Sequence, residues 1–461
     1  MDEKISGIVT AVKMQPNPID NVYTILSDRV YRLRSGIDLK LMERVSGVAS
    51  GGALTEVEVN GQATEKEYKE TVSRHIDGAL SGKRLLLEGK PYADLVARMT
   101  PRLLDAARTL LERLVTGAPV IVRFHNDGDG ASGAIGLYRA VCSLQDDISE
   151  AEFDVSWRMN RSIAYTTEAF YSDELRFNGY NSVAGPLVLI TDFGTTEESL
   201  EAIKLAKGRL ELVWMDHHKP YDGFPRGMIG NYINTWDFGG DSALSAGAMT
   251  CIFSRLFSDA DSSDMIEASF VSDYSPYAET GNKRANDISL MLDYFTSRGG
   301  SYPPVTPKQI DAIITDDGKS AEMVANARHS LEEAMRAGLS NIRRYSNNNG
   351  INIHVLDFGH VANLGLEYPL PGRFSSKLQS HLESLNNGRT MTIVHYGSYI
   401  SMRVSRDILG SIDVLQLIAR LKESDATIGG GGHREAASIR TTKEKIPDLM
   451  KLLLIELGAQ I

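Results

Sequence analysis

From Ala118 onward the chain repeats one pattern: a short apolar run, a polar cluster, then a stretch with helical spacing. The apolar runs are Val120 to Phe124, Leu187 to Ile190 and Leu210 to Met215. Such alternation predicts a parallel sheet with crossover helices, because parallel neighbours need a connection long enough to return along the sheet. In open sheets of this kind the chemistry sits beyond the carboxyl ends of the strands. The pattern therefore sets the fold class, α/β, and also shows where a site should lie.

Four polar clusters are expected at those strand ends. The first is His125-Asn126-Asp127-Gly128-Asp129-Gly130. Read as extended chain, His125, Asp127 and Asp129 lie at i, i+2 and i+4 and point to one side. Gly128 and Gly130 permit tight turning and close approach of the backbone. Hard or borderline donors at this density suit Mn2+ or Mg2+ better than a soft metal. Alone, an Asp-Gly-Asp-Gly string would be only a turn. The second cluster is Thr191-Asp192-Phe193-Gly194. Thr195 or Thr196 suffices to cap the helix that Glu197 and Glu198 open, which leaves Asp192 free. The third is Asp216-His217-His218, an acid and two imidazoles directly after an apolar run. The fourth is Ser272-Asp273-Tyr274, following Phe270 and Val271.

The flanks read differently. Residues 1–62 alternate apolar and polar positions over Ile5 to Val12, Val22 to Leu26, Val30 to Leu33 and Leu54 to Val59, a small β-rich module. An oligonucleotide-binding barrel and a plain structural β extension both fit it. Residues 63–117 are helical, with Leu103, Leu104, Leu110, Leu111 and Leu114 forming a stripe for core packing. The parallel-sheet region occupies 118–300. Gly299-Gly300-Ser301-Tyr302-Pro303-Pro304 reads as a linker, and 301–345 as linker and connector helix. Residues 346–461, with strands over Ile351 to Leu356, Thr390 to Tyr396 and Tyr399 to Val404, form a second, smaller α/β domain.

Charge adds a division of labour. The net charge of −11 disfavours a sequence-independent nucleic-acid coat, whose affinity rests on phosphate neutralisation. From Ser346 to Ile461 there are 12 basic and 11 acidic residues, which leaves 37 and 49 for the rest of the chain. The C-terminal part is thus the better partner for a polyanion and the acidic part the better home for cations. Two distant cysteines, Cys142 and Cys251, fit a reducing cytosol and exclude a disulfide scaffold. The start of the chain lacks an apolar targeting core, and no apolar run reaches membrane-spanning length, so a cytoplasmic location and no membrane partner are expected.

The four clusters, in this order, resemble the DHH phosphoesterase superfamily, which includes RecJ-type exonucleases, oligoribonuclease/phosphatase enzymes and family II inorganic pyrophosphatases. Gly429-Gly430-Gly431-Gly432-His433-Arg434-Glu435-Ala436-Ala437-Ser438 is similar to the glycine-histidine signature of the DHH-associated C-terminal domain, and Ser401-Met402-Arg403 to its Ser-x-Arg strand. Ser438 stands where that signature ends in Gly. The His-x-Asp-x-Asp-Gly spacing and the N-terminal extension look most like the archaeal RecJ-like members. Pyrophosphatases lack the glycine signature.

The resemblance implies residue roles. His125, Asp127 and Asp192 would bind one divalent ion, Mn2+ or Mg2+, and Asp129, Asp192, His217 and Asp273 a second, with Asp192 bridging. Asp216 would orient His217 by a hydrogen bond, and His218 would meet the substrate phosphate, with Asn126 assisting. The catalytic set is then His218, Asp216 and Asp192. In the C-terminal domain Ser401, Arg403, Gly430, Gly431, Gly432 and His433 would bind substrate, the glycine run offering backbone N–H groups to an anion. The implied activity is two-metal exonuclease hydrolysis of single-stranded DNA or RNA in replication, repair or RNA processing. The alternatives are an oligoribonuclease or (cyclic) dinucleotide phosphodiesterase, and a replisome component that binds GINS or another replication or repair protein while retaining nuclease activity.

Overall fold

The computed structural model describes residues 3–17, 20–83, 85, 87–297, 306–385, 388–425, 427–432 and 434–459. They form two compact units: one holds Met1–Leu292 with Val305–Thr315, the other Asp293–Pro304 with Asp316–Ile461. The first unit begins with strands β1 (Glu3–Lys13), β2 (Val22–Leu26), β3 (Val30–Arg34), β4 (Glu43–Ser50) and β5 (Ala53–Gln62). They pair in the order β2-β3-β5-β4-β1, and a further β1–β2 pairing closes the ring. β4 was not foreseen: Gly47 interrupts its pattern, yet a Cβ at Gly47 would lie 2.8 Å from the Thr55 carbonyl, so close strand pairing requires glycine there. Ile5, Val9, Tyr23, Ile25, Tyr31, Leu33, Val45 and Leu54 fill the interior.

Two helices follow, α1 (Glu65–Leu80) and α2 (Ala93–Thr116). A capping box between Thr64 and Glu67 starts α1. Of the expected leucine stripe of α2, Leu103, Leu110, Leu111 and Leu114 are buried and Leu104 is half-buried, and the helix ends at Gly117 in the left-handed conformation. A Cβ at Gly117 would lie 2.1 Å from Thr24 Oγ1, so the end of α2 presses directly on β2. Thr24, Leu26 and Val30, which alternate with the barrel-interior residues, are also almost fully buried. Arg32 joins the same interface through an ion pair with Asp154. The outer face of β2 and β3 is therefore sealed against the rest of this unit.

The remainder of the first unit is β6 (Val120–His125), α3 (Gly128–Ile148), β7 (Val155–Asn160), α4 (Thr167–Phe177), β8 (Tyr180–Ser182), β9 (Leu187–Thr191), α5 (Leu200–Ala206), β10 (Glu211–Asp216), β11 (Asn231–Asn234), α6 (Ala246–Ser254), α7 (Ser263–Ser272), α8 (Lys283–Ser297, of which Asp293 onward falls in the second unit) and α9 (Pro307–Ile314). Five of its strands make an all-parallel sheet in the order β11-β10-β9-β6-β7. The expected runs became β6, β9 and β10, buried on both faces as parallel strands are. β7 and β11 lay outside the expectation because β7 carries Arg158 and only half-buried neighbours, and β11 is four residues long. β8 leaves this sheet and pairs antiparallel with β1 of the barrel. Chain order reverses between β6 and β9, which makes their carboxyl ends the switch point where such sheets place ligands.

The second unit continues with α10 (Asp317–Asn341), β12 (Arg343–Ser346), β13 (Asn352–Asp357), α11 (Gly359–Ala362), α12 (Pro371–Leu385), β14 (Thr390–Tyr396), β15 (Tyr399–Val404), α13 (Val414–Ser424), β16 (Gly429–Gly432), β17 (Ala436–Arg440) and α14 (Ile446–Glu456). Its mixed sheet runs β12-β13-β14-β15-β17-β16, with a core of Ile353, Ile393, Ile400, Met402, Ile439 and Leu453 on one side. The α/β class, with a parallel sheet in the first unit and a second sheet with helices in the other, is as expected. The expected linker over 299–304 lies outside the described residues.

Candidate metal centre

β6 delivers His125 at its last position, and α3 starts three residues later. The first cluster is therefore not extended: Asp127 is the N-cap of α3, and Asp129 already belongs to the helix. Asp127 Oδ1 accepts from the Gly130 amide at 3.0 Å, and Oδ2 lies 2.8 Å from His125 Nδ1. A Cβ at Gly130 would meet the His125 backbone at 2.6 Å, so glycine is needed for the helix to start this close to the strand.

Asp129 is buried and doubly held. Its carboxylate accepts from the Ala246 and Gly247 amides at the start of α6, at 3.0 and 3.1 Å, and from the Ser269 hydroxyl. Glycines let α3 approach that closely; at Gly133 a Cβ would lie 2.9 Å from Gly247 Cα. Burial raises the Asp129 carboxyl above the usual range, with Asp127 adding to the shift against the opposing pull of His217.

Asp192 follows β9 at the switch point, in the left-handed conformation at φ 70°. A non-glycine residue held there is strained, and such strain collects at functional sites. Its side chain is 2% exposed, and Oδ2 accepts no hydrogen bond. Burial first, then Asp127 and Asp129, push this carboxyl well above the usual range. Neither Thr195 nor Thr196 caps the following turn with its side chain. Thr195 Oγ1 instead donates to Asp216 Oδ2 at 3.0 Å.

The tripeptide divides its work differently from expectation. Asp216 Oδ1 accepts from the His217 and His218 amides and from His218 Nδ1, at 2.8, 3.1 and 2.8 Å. It thus orients His218, not His217. Burial would raise the Asp216 carboxyl, but His218 overrides it and holds the group down to about 2. His217 is oriented by the Ser242 carbonyl, 3.0 Å from Nδ1. A carbonyl only accepts, so Nδ1 carries the proton and Nε2 turns toward Asp192 Oδ1 at 3.5 Å and Asp129 Oδ2 at 3.8 Å. A backbone carbonyl behind one nitrogen is the usual support for a metal-binding imidazole.

Asp273 arrives by another route than expected: it caps the carboxyl end of α7, a helix rather than a strand. Its Oδ2 lies 3.6 Å from His217 Nδ1, with about a third of the side chain exposed. Two groups of donors converge closely enough for a cation: His125, Asp127 and Asp192, and Asp192 with Asp216, His217 and His218. Asp192 is common to both. Asp129 and Asp273 flank the second group through His217. The donor set fits divalent cations, since a buried carboxylate oxygen that accepts no hydrogen bond, beside two further carboxylates, is costly without positive charge.

The residues expected to bind substrate lie in the second unit. Ser401 is fully buried and its hydroxyl bonds to Ser375 Oγ at 2.7 Å, so it does not face a ligand. The Arg403 guanidinium donates to Ser376 Oγ and to the Gly372 and Met402 carbonyls. Gly430, Gly431 and Gly432 are not a loop but the edge strand β16, paired with β17. Gly430 and Gly432 have φ of 140° and 141°, and a Cβ there would lie 2.2 and 2.3 Å from β17 carbonyls. Strand pairing alone accounts for these two glycines. His433 lies outside the described residues.

Ser269, Ser242, Asn234 and Trp236 were missed. Asn234 Nδ2 donates to the His218 carbonyl at 2.9 Å, and Trp236 Nε1 to the His217 carbonyl at 3.0 Å. The only sequence signal was Asn-Thr-Trp-Asp after a short apolar pair, which reads as a turn.

No family model matches the chain. An uncharacterised protein of Methanocaldococcus jannaschii is 22% identical over 507 residues, covering 95% of this chain and 66% of that protein. The chain therefore spans just under two thirds of that relative's length. A solved DHH domain, from a protein described as belonging to a family of ribosomal proteins, superposes with a TM-score of 0.72 at 20% identity, over 85% of this chain and 98% of that one. RecJ of Thermus thermophilus in complex with Mn2+ superposes with a TM-score of 0.48 at 16% identity, over 83% of this chain and 60% of that one. This protein has the fold of the DHH-domain proteins. No helix among the described residues is long and apolar enough to cross a membrane.

Proposed function

We propose that this chain is a two-metal phosphodiesterase that shortens single-stranded DNA or RNA from an end, as RecJ-like exonucleases do. The observation that carries the reading is Asp192: a buried carboxylate with an oxygen that accepts no hydrogen bond, common to two groups of donors at the switch point. His125, Asp127 and Asp192 would hold one divalent ion, Mn2+ or Mg2+, and Asp129, Asp192, His217 and Asp273 the other. Such ions supply positive charge at the phosphate oxygens and make water a competent nucleophile near neutral pH.

The chain's own residues do the rest. Asp216 fixes His218 through Nδ1, so Nε2 of this part-exposed ring is the nitrogen that can donate to a phosphate oxygen. The Ser242 carbonyl and Asn234 hold the tripeptide backbone and rings in place. The barrel, the helices and the sheet at residues 1–300 would form the catalytic part. Residues 346–461 would hold the strand, with Arg403 and His433 as the cationic contacts.

Labelled single-stranded DNA and RNA, a dinucleotide and a cyclic dinucleotide, each incubated with the protein and Mn2+, test this. Stepwise shortening of the long strands is expected. Cleavage of the dinucleotides alone would replace the reading with a small-substrate phosphodiesterase. Inactivity on all of them, with GINS co-purifying, would replace it with a replisome role.

A further inference from the structure

We infer that Trp236 is a stacking platform for the base of the nucleotide whose phosphate meets His218, so that the site recognises a nucleobase as well as a phosphate. This rests on the phosphodiesterase reading and names what that site takes. The chain has three tryptophans. Trp214 is fully buried in the core behind β10, and Trp157 is half-buried on β7 with an edge contact to Tyr138. Trp236 alone is 36% exposed, and it stands on the segment that clamps the metal-centre tripeptide.

Its ring is held in one orientation. The indole Nε1 donates to the His217 carbonyl at 3.0 Å, and the Ser242 hydroxyl donates to the same carbonyl at 2.8 Å. The Trp236 amide donates to Asn234 Oδ1 at 3.0 Å, while Asn234 Nδ2 holds the His218 carbonyl. The polar edge is thus turned inward and satisfied, and what remains toward solvent is apolar ring. Covering that ring would desolvate no unpaired polar group. A side chain that is already fixed loses little rotamer freedom on binding, which makes this ring a preorganised surface.

Lys219 completes the arrangement. It directly follows His218, is exposed, and its ammonium lies over the Trp236 ring, 5.6 Å from the centroid. An aromatic face beside a lysine matches a nucleotide, whose base stacks while its phosphate meets the cation. An ordinary phosphodiester without a base would use His218 and Lys219 but gain nothing from Trp236.

The test is a binding titration of the full chain with Mn2+, following tryptophan fluorescence, with AMP and with ribose 5-phosphate. Wild type should bind AMP roughly tenfold more tightly than ribose 5-phosphate, the scale of one stacked base, and AMP should quench the emission. Trp236→Leu should lose the quenching and bring AMP down to the affinity of ribose 5-phosphate. Trp236→Phe, which keeps a ring and loses the N–H, should retain most of the preference. Equal binding of the two ligands by wild type would overturn the inference. So would a preference for AMP that survives in Trp236→Leu, or equal loss in the Phe and Leu variants, which would mark the N–H clamp as the whole role. Because binding is read here, failure of the chain to hydrolyse any phosphodiester sinks the functional reading separately.

Discussion

Within the tripeptide, Asp216 Oδ1 accepts from His218 Nδ1 and two backbone amides, and Oδ2 accepts from the Thr195 hydroxyl. Asp216→Asn should therefore leave Mn2+ binding intact by calorimetry and reduce turnover on the order of 100-fold, the scale of a misdirected proton donor. His217→Ala should lower metal occupancy, whereas His218→Ala should keep the metals and lose turnover. Equal metal loss in all three variants would make the tripeptide one ligand set. A second residue-scale prediction concerns His354 on β13, which is 4% exposed. Burial, reinforced by Arg344 on the neighbouring strand, lowers its pKa from 6.5 to about 4. The unfolded chain then takes up this proton first as pH falls. The stability His354 contributes is full above the ordinary value and is lost progressively down to the folded one, by roughly 2–3 kcal/mol. Unfolding midpoints at pH 7 and pH 4.5 should differ less in His354→Gln than in wild type; an unchanged difference would contradict it.

The elements that were legible in the sequence are those whose side chains alone dictate the conformation. β6, β9 and β10 are continuous apolar runs, and α2 has an unbroken leucine stripe. What escaped depended on tertiary partners. Gly430 and Gly432 look like loop residues until β17 is seen to exclude any Cβ beside them. The helix start at Gly128 was hidden because its cap, Asp127, also looks like a ligand. The outer face of β2 and β3, where an oligonucleotide-binding barrel takes its ligand, is buried against α2 and the segment after α3. Gly117→Val, which drives a side chain into Thr24 and a left-handed position, should cost roughly 1–3 kcal/mol in denaturant unfolding. A neutral effect would mean that barrel and helix do not press on each other.

At the scale of the whole molecule, the candidate site was legible in kind and incomplete in detail. His125, Asp127, Asp192 and His217 could be found because each follows an apolar run that can only be a buried strand. Asp273 was picked out after a short apolar stretch, but its ligand role came only by resemblance, since a helix end brings it to His217. The supports at Ser242, Ser269 and Trp236 come from connections far from the clusters in sequence, and no local pattern marks them. The acidic first unit and the nearly neutral C-terminal part match a division between cation binding and strand holding. The most direct measurement pairs Mn2+ calorimetry with hydrolysis of an end-labelled single strand, in wild type and in Asp192→Asn. Wild type is expected to bind two ions per chain and to release nucleotides only when Mn2+ is present, and Asp192→Asn to lose both properties together. Metal binding or strand shortening that survives in Asp192→Asn would contradict a centre built on that shared carboxylate.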